Sequence, residues 1–323
     1  MKEVGVIFDK SGKGGGIYNQ SVFDGIEDCF NVEMHEIIRP QKNKFYNFSK
    51  LYYNLSKIKG EKFVWIRTLN SVLTLPFDNT HGKNIAIIHH IDNSLKPVPT
   101  KILSDVIDKV LIHNLSSVDT IVVVSQYWKQ YFERLGFKSI KVIYNPFILE
   151  EFKFSDNSID AFKEKYHLSE KPIIYLGNCQ KAKGVIEAYD ALKEFDAYFV
   201  TSGAKDVNLP VIHLNVDYNE YLKLLRSSSV AVTMSKFNEG WCRTAHEAMI
   251  CKTPVVGSGK GGMEELLTGG KQIICHDFSK LRECVEYAMD NSKLGEIGYE
   301  FATQECFTLD FFKNQWVKLI DEQ

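Results

Sequence analysis

The chain has 323 residues, of which 44% are apolar, 12% aromatic and 25% charged, and a formal net charge of −2. That length supports two hydrophobic cores, the composition excludes a disordered or fibrous chain, and no apolar run of about eighteen residues is present to cross a bilayer. The charge is unevenly spread: residues 1–150 carry 19 Lys+Arg against 15 Asp+Glu, and the remainder 20 against 26. Seven cysteines with no Cys-x-x-Cys spacing read as reduced thiols. MKEVGVIFDK runs straight into a strand instead of a signal peptide, so a cytoplasmic protein is expected.

In chain order, β-branched runs alternate with helical stretches. Strands are predicted near residues 4–8, 32–38, 62–66, 84–88, 120–124 and 140–144, and helices near 17–29, 48–58, 98–115 and 126–135. Asn145-Pro146 and the polar EEFKFSDNSID interrupt the pattern and predict a linker. KPIIYLG (171–177) restarts it, with further strands at AYFVT, PVIHL, VAVTM, TPVVG and KQIIC. The expected fold is α/β, with two Rossmann-like doubly wound domains facing a cleft; ligands of such sheets bind beyond the carboxyl ends of the strands.

Four loops after predicted strands could carry chemistry. The first, KSGKGGGIYNQS, holds Gly14, Gly15 and Gly16 before a helix, where bare backbone can approach an anion. Its spacing fails both the dinucleotide fingerprint and the P-loop, leaving a generic phosphate or sugar loop, or a flexible turn. In the second, His89, His90 and Asp92 follow a strand; one histidine is placed to meet a substrate hydroxyl, and no third residue completes a metal site. In the third, Gly177 ends a strand and Lys181 and Lys183 precede a helix opening at Gly184, a suitable place for a diphosphate or simply a polar loop. The fourth, EGWCRTAHE, sets Glu239 and Gly240 in a loop and Glu247 about one turn into the following helix.

Separately, residues 39–62 carry seven cations against the single acid Glu61, interleaved with five aromatic residues. That pattern fits either a solvated helix face or a contact with anionic lipid head groups or a phosphorylated acceptor.

Together, Gly177, Lys183-Gly184, Glu239, Glu247, Ala248-Met249, Thr253-Pro254-Val255-Val256-Gly257 and Gly261-Gly262-Met263-Glu264-Glu265 resemble the pattern of family 4 retaining glycosyltransferases. Ser125 and Ile143-Tyr144-Asn145-Pro146 resemble the end of that family's first domain, and FTLDFFKNQWVKLIDEQ its terminal helix. The resemblance implies a GT-B fold, with an acceptor-side domain over 1–146, a nucleotide-sugar domain over 147–306 and a helix over 307–323 returning to the first domain. It also implies roles. Glu239 would accept bonds from the transferred sugar's hydroxyls and Glu247 from the ribose. Lys183 would hold the diphosphate together with backbone N–H groups around Trp241, Cys242, Arg243 and Thr244. Gly14–Gly16 would face the same phosphates and His89 or His90 the sugar. Two positions depart from the family: Asn178 stands where an arginine is common, leaving Lys181, Arg243 or no residue at all to supply the partner cation. Gly240-Trp241-Cys242 stands for Gly-Phe-Gly.

The implied reaction is a metal-independent, retaining transfer from a nucleotide diphosphate sugar, most simply a UDP-sugar, to a hydroxyl of a glycan or lipid-linked acceptor, as in polysaccharide biosynthesis. The absence of any Asp-x-Asp triplet agrees with metal independence. No resident cofactor and no nucleic-acid partner are expected, and a lipid-linked acceptor would place the protein at the inner face of a membrane. The rivals are a non-catalytic subunit of the same fold that binds or stabilises a partner, and a nucleotide-sugar epimerase.

Overall fold

The computed structural model describes residues 1–9, 14–37, 53–92, 94–95 and 98–323. The basic stretch 39–62 lies outside them as far as residue 52, as do residues 48–52 of the helix expected at 48–58 and Gly12 of the glycine run. The chain divides into two compact units, Met1–Pro146 with Leu309–Gln323, and Phe147–Thr308.

In the first unit, β1 (Glu3–Asp9), β2 (Asn31–Ile37), β3 (Lys59–Thr68), β4 (Asn79–Ile88), β5 (Thr120–Val123) and β6 (Ile140–Val142) form a parallel sheet in the order β2-β1-β3-β4-β5-β6. Helices α1 (Gly14–Ile26), α2 (Val98–Leu115) and α3 (Gln126–Arg134) lie between strands in sequence. Every residue of β5, TIVV, is buried, as a parallel strand covered on both faces requires. Trp128 and Phe132, four residues apart on α3, pack with Leu111, Ile121 and Val123 in one cluster.

In the second unit, β7 (Ile173–Asn178), β8 (Tyr198–Ser202), β9 (Ile212–Leu214), β10 (Val230–Thr233), β11 (Val255–Gly257) and β12 (Ile273–Ile274) are again parallel, in the order β12-β11-β10-β7-β8-β9. Its helices are α4 (Asp156–Lys165), α5 (Val185–Leu192), α6 (Tyr218–Ser227), α7 (Arg243–Ile250), α8 (Gly262–Gly269), α9 (Leu281–Asp290) and α10 (Lys293–Ala302). The strand order reverses between β7 and β10. Connections leave those two neighbours in opposite directions, which opens a crevice at their carboxyl ends. All twelve strands read from the sequence are present.

The last helix, α11 (Leu309–Asp321), belongs to the first unit. It buries Phe312, Trp316, Leu319 and Ile320, a helical stripe, and Phe312 meets Tyr18 of α1 edge-on at 5.1 Å. The Lys313 stem lies over Gly25, where an added Cβ would stand 3.1 Å from it.

The stretch read as a linker is largely structured. Leu149–Phe152 forms a 3-10 turn with Phe152 buried, and α4 begins at Asp156 with Ser155 as its cap, accepting a bond from the Ser158 N–H at 3.3 Å. Ser-Asp-Asn-Ser reads as loop by composition, but the same residues are strong helix starters.

Candidate active site

The loops that leave β7 and β10 are stitched together. After Gly177 (φ 73°), the chain makes a 3-10 turn at Lys181–Lys183 and reaches Gly184 at φ 70°. Only glycine fits there, because a Cβ would come within 2.3 Å of the Met234 carbonyl oxygen at the end of β10. The Lys236 N–H donates to the Ala182 carbonyl at 3.0 Å. Across this junction the Lys183 ammonium reaches the Glu239 carboxylate at 2.5 Å, and the Ser235 hydroxyl donates to the same oxygen, also at 2.5 Å. Lys183 also stands 4.9 Å from the centre of the Phe237 ring.

Glu239 is held by its backbone as well. Its N–H donates to the Lys260 carbonyl at 3.2 Å, and its carbonyl accepts from Gly262 at 2.9 Å. Gly261, at φ 68°, faces this peptide so closely that a Cβ would sit 2.4 Å from the Glu239 oxygen. Only 7% of Glu239 is exposed. Burial works against the Lys183 charge, but the Glu239 carboxylate outweighs it and holds the lysine proton above the usual range. Nearby, Lys236 pairs with Glu187 at 2.5 Å. Despite its burial, Glu187 is held below the usual carboxylate range by that bond.

The next turn sets the second carboxylate. Cys242 takes φ 72°, ψ 71°, the left-handed conformation that glycine adopts most easily, and α7 starts at Arg243. Burial pushes the Cys242 thiol up to about 12, and Glu239 and, more weakly, Glu247 add to the rise, so this cysteine lies within the field of both carboxylates. Glu247 is buried. It accepts bonds from Tyr221 at 2.9 Å, from Tyr218 at 3.2 Å and from Arg243 at 3.2 Å. Arg243 in turn stacks on Phe147 at 4.4 Å.

Trp241 does not open onto this crevice as a ligand-facing side chain. It is 3% exposed, packs against Phe307, and its indole N–H donates to His246 Nδ1 at 2.9 Å. The other imidazole nitrogen lies 2.9 Å from the Ala302 carbonyl, which accepts only, so His246 is neutral with its proton on Nε2. Burial drives it down to about 3, with the Ala302 bond offsetting part of the drop. The unfolded chain takes up this proton near pH 6.5 and the folded chain resists it, so stability falls as pH drops below that value. Between pH 7.5 and 5.5 His246 removes about 1 kcal/mol. In urea unfolding at the two pH values, His246→Gln starts less stable and loses less; an equal loss in both proteins refutes this assignment.

In the first unit, Gly14–Gly16 form the opening turn of α1. A Cβ at Gly15 would come 3.2 Å from the His89 ring, so the glycine lets the imidazole close over the helix start. His89 meets Tyr18 edge-on at 5.0 Å, and its Nε2 is buried with no hydrogen-bond partner among the described residues. Burial, with the neighbouring His90 adding, lowers it to about 4, so the ring is neutral at neutral pH. His90 is exposed.

Residues 156–300 match the family described as Glycosyl transferases group 1. This segment is similar to the group 1 glycosyltransferases. No curated protein matches the chain. Among solved structures, HepE from Anabaena with UDP-glucose covers 100% of both chains at 14% identity and a TM-score of 0.76. Sucrose-phosphate synthase from Thermosynechococcus elongatus covers 100% of this chain and 99% of its own at 16% and 0.78. A glycosyltransferase from Rickettsia africae covers 99% and 98% at 15% and 0.67. At such identities these structures establish the fold, the two-unit GT-B architecture.

The matched segment brings together Lys183 and Glu239, and sets Gly240, Trp241, Cys242, Arg243, Thr244 and Glu247 along one continuous turn and helix start. It does not bring Lys181 or Asn178 to the Lys183–Glu239 pair by any described bond. Lys181 is exposed and its charge acts on Glu187, while Asn178 ends β7 with its side-chain oxygen over Gly203. Arg243 is committed to Glu247. Sequence reading missed Ser235, Tyr218 and Tyr221. Ser235 lies two residues after β10 and was findable as a switch-point residue; the two tyrosines lie on α6, before β10, and carry no local signal.

Proposed function

We propose that the protein is a retaining glycosyltransferase that moves a sugar from a nucleotide diphosphate sugar, most simply a UDP-sugar, to a hydroxyl of a glycan or lipid-linked acceptor. One observation carries the reading: Lys183, Ser235 and Glu239 converge where the second sheet reverses its strand order, inside the group 1 segment. In this reading Glu239 accepts hydrogen bonds from the transferred sugar's hydroxyls, and Glu247 from those of the ribose. Departure of the diphosphate builds negative charge, which Lys183 and the N-terminal end of α7 stabilise without a metal ion. Among the described residues no cluster of potential metal ligands occurs. The opening turn of α1 and His89, with His90 beside it, serve as sugar or phosphate contacts of the first unit. HepE, a structure of the same fold, holds UDP-glucose, which supports a UDP-sugar as the first donor to test. The cationic, aromatic stretch 39–62 supports an acceptor at an anionic membrane surface from its sequence alone. No described helix is long and apolar enough to cross a membrane.

The test is a panel of UDP-, GDP- and ADP-sugars, scoring nucleotide release with and without candidate acceptors, in excess EDTA. Release stimulated by acceptor and retained in EDTA is expected. Nucleotide binding without release from any donor would make the chain a binding subunit. Loss in EDTA with recovery on magnesium or manganese would overturn the assignment of the diphosphate to Lys183 and the helix start.

A further inference from the structure

Glu247 is crowded by donors of its own protein. A carboxylate offers about four acceptor positions. Three are filled here, by the hydroxyls of Tyr218 and Tyr221 and by Arg243 Nη2. A vicinal diol brings two donors, so one of the three must leave. The bonds are unequal. Arg243 makes a charge-assisted bond and is stacked on Phe147. Tyr221 makes the shorter bond, is half-buried and packs towards Tyr175, their ring centres 6.2 Å apart. Tyr218 makes a 3.2 Å bond, is 38% exposed and is the first residue of α6, directly after its cap Asp217. Tyr218 is the member free to swing out.

We propose that the Tyr218 hydroxyl is a placeholder for a ribose hydroxyl: it occupies one acceptor position of Glu247 and yields it when a nucleotide's vicinal diol binds. The inference rests on the reading of Glu247 as the ribose acceptor. Burial first, then the Glu247 carboxylate, holds the Tyr218 phenol well above its ordinary range, so the hydroxyl keeps its proton and remains a donor at any working pH. The device keeps a buried carboxylate solvated by protein when no nucleotide is present, at the cost of competition with the nucleotide. It therefore makes Tyr218 a determinant of affinity for ribonucleotides, with no part in the chemistry of transfer.

The experiment is calorimetric titration of UDP and of 2′,3′-dideoxy-UDP into wild type, Tyr218→Phe and Glu247→Gln, with thermal unfolding to confirm that each variant is folded. Phenylalanine keeps the ring and removes only the competing hydroxyl. Tyr218→Phe is expected to bind UDP about three- to tenfold more tightly, the scale of one net hydrogen bond, and dideoxy-UDP as wild type does. Glu247→Gln is expected to weaken UDP while leaving dideoxy-UDP unchanged. If Glu247→Gln weakens UDP but Tyr218→Phe leaves it equal or weaker, the placeholder is wrong and the ribose assignment stands. If Glu247→Gln does not affect UDP, the ribose assignment falls and the placeholder with it.

Discussion

Lys183→Ala lowers the rate of sugar transfer at least about a hundredfold, the loss expected when one positioned electrostatic group is removed from a low-dielectric site. The lysine is fixed from three sides: by Gly184, whose bare backbone lies against the end of β10, by the Glu239 carboxylate at 2.5 Å and by the Phe237 ring at 4.9 Å. Its proton is held above the ordinary lysine range. A raised lysine stabilises the fold at all pH values below its unfolded pKa, near 10.4, and loses that contribution only as pH rises further. The charge that faces the diphosphate is therefore constant across neutral pH, and the activity profile should show no titration of Lys183 there. Because the cation acts on a negative group present in both substrate and transition state, UDP affinity should fall as well. Initial rates at saturating donor, with UDP titration on the same variant, measure both. Turnover and affinity near those of wild type would remove Lys183 from the site.

Much of this was readable from the sequence, and what was not has definite physical causes. Runs such as TIVV and VAVT are short, β-branched and unbroken, so their burial on both sheet faces follows from composition alone. Lys183 and Glu239 could each be placed in a loop after a strand. Their pairing could not, because it spans 56 residues and depends on β7 and β10 being neighbours, a fact of sheet order that no local window contains. Trp241 and Cys242 stand where phenylalanine and glycine are usual in the resembled family. The fold absorbs both: the indole is turned into a cluster with His246 and Phe307, and Cys242 adopts the left-handed backbone itself. EEFKFSDNSID failed as a linker because caps and loops share their residue types, and only the buried Ile159 and Phe162 that follow separate the two. Tyr218 and Tyr221 stayed invisible because their function lies in a carboxylate 26 to 29 residues further on.

Glu239→Gln lowers transfer by a similar factor, at least about a hundredfold, but with the opposite effect on nucleotide binding. The carboxylate does two things in this structure. It neutralises Lys183, and it presents a negative acceptor fixed by Ser235 and by the Gly261 turn. Glutamine keeps the size and one acceptor oxygen while abolishing the charge. Sugar hydroxyls then lose a charge-assisted partner, roughly twice as strong as a neutral one, and the lost bond is the one that orients the reacting ring. Lys183, released from its ion pair, becomes fully available to the diphosphate, so UDP alone should bind as tightly as in wild type or more tightly. Gly261→Ala provides a second route to the same site: its Cβ would stand 2.4 Å from the Glu239 oxygen and 2.7 Å from its nitrogen, so the peptide must move. Misplacing the carboxylate by about an ångström is enough to cost two orders of magnitude in turnover. The deciding measurement sets kcat for both variants beside their UDP affinities. Low kcat with retained UDP binding in Glu239→Gln identifies Glu239 as the acceptor of the sugar's hydroxyls. A parallel collapse of UDP binding would show instead that Glu239 serves only to hold Lys183 in place.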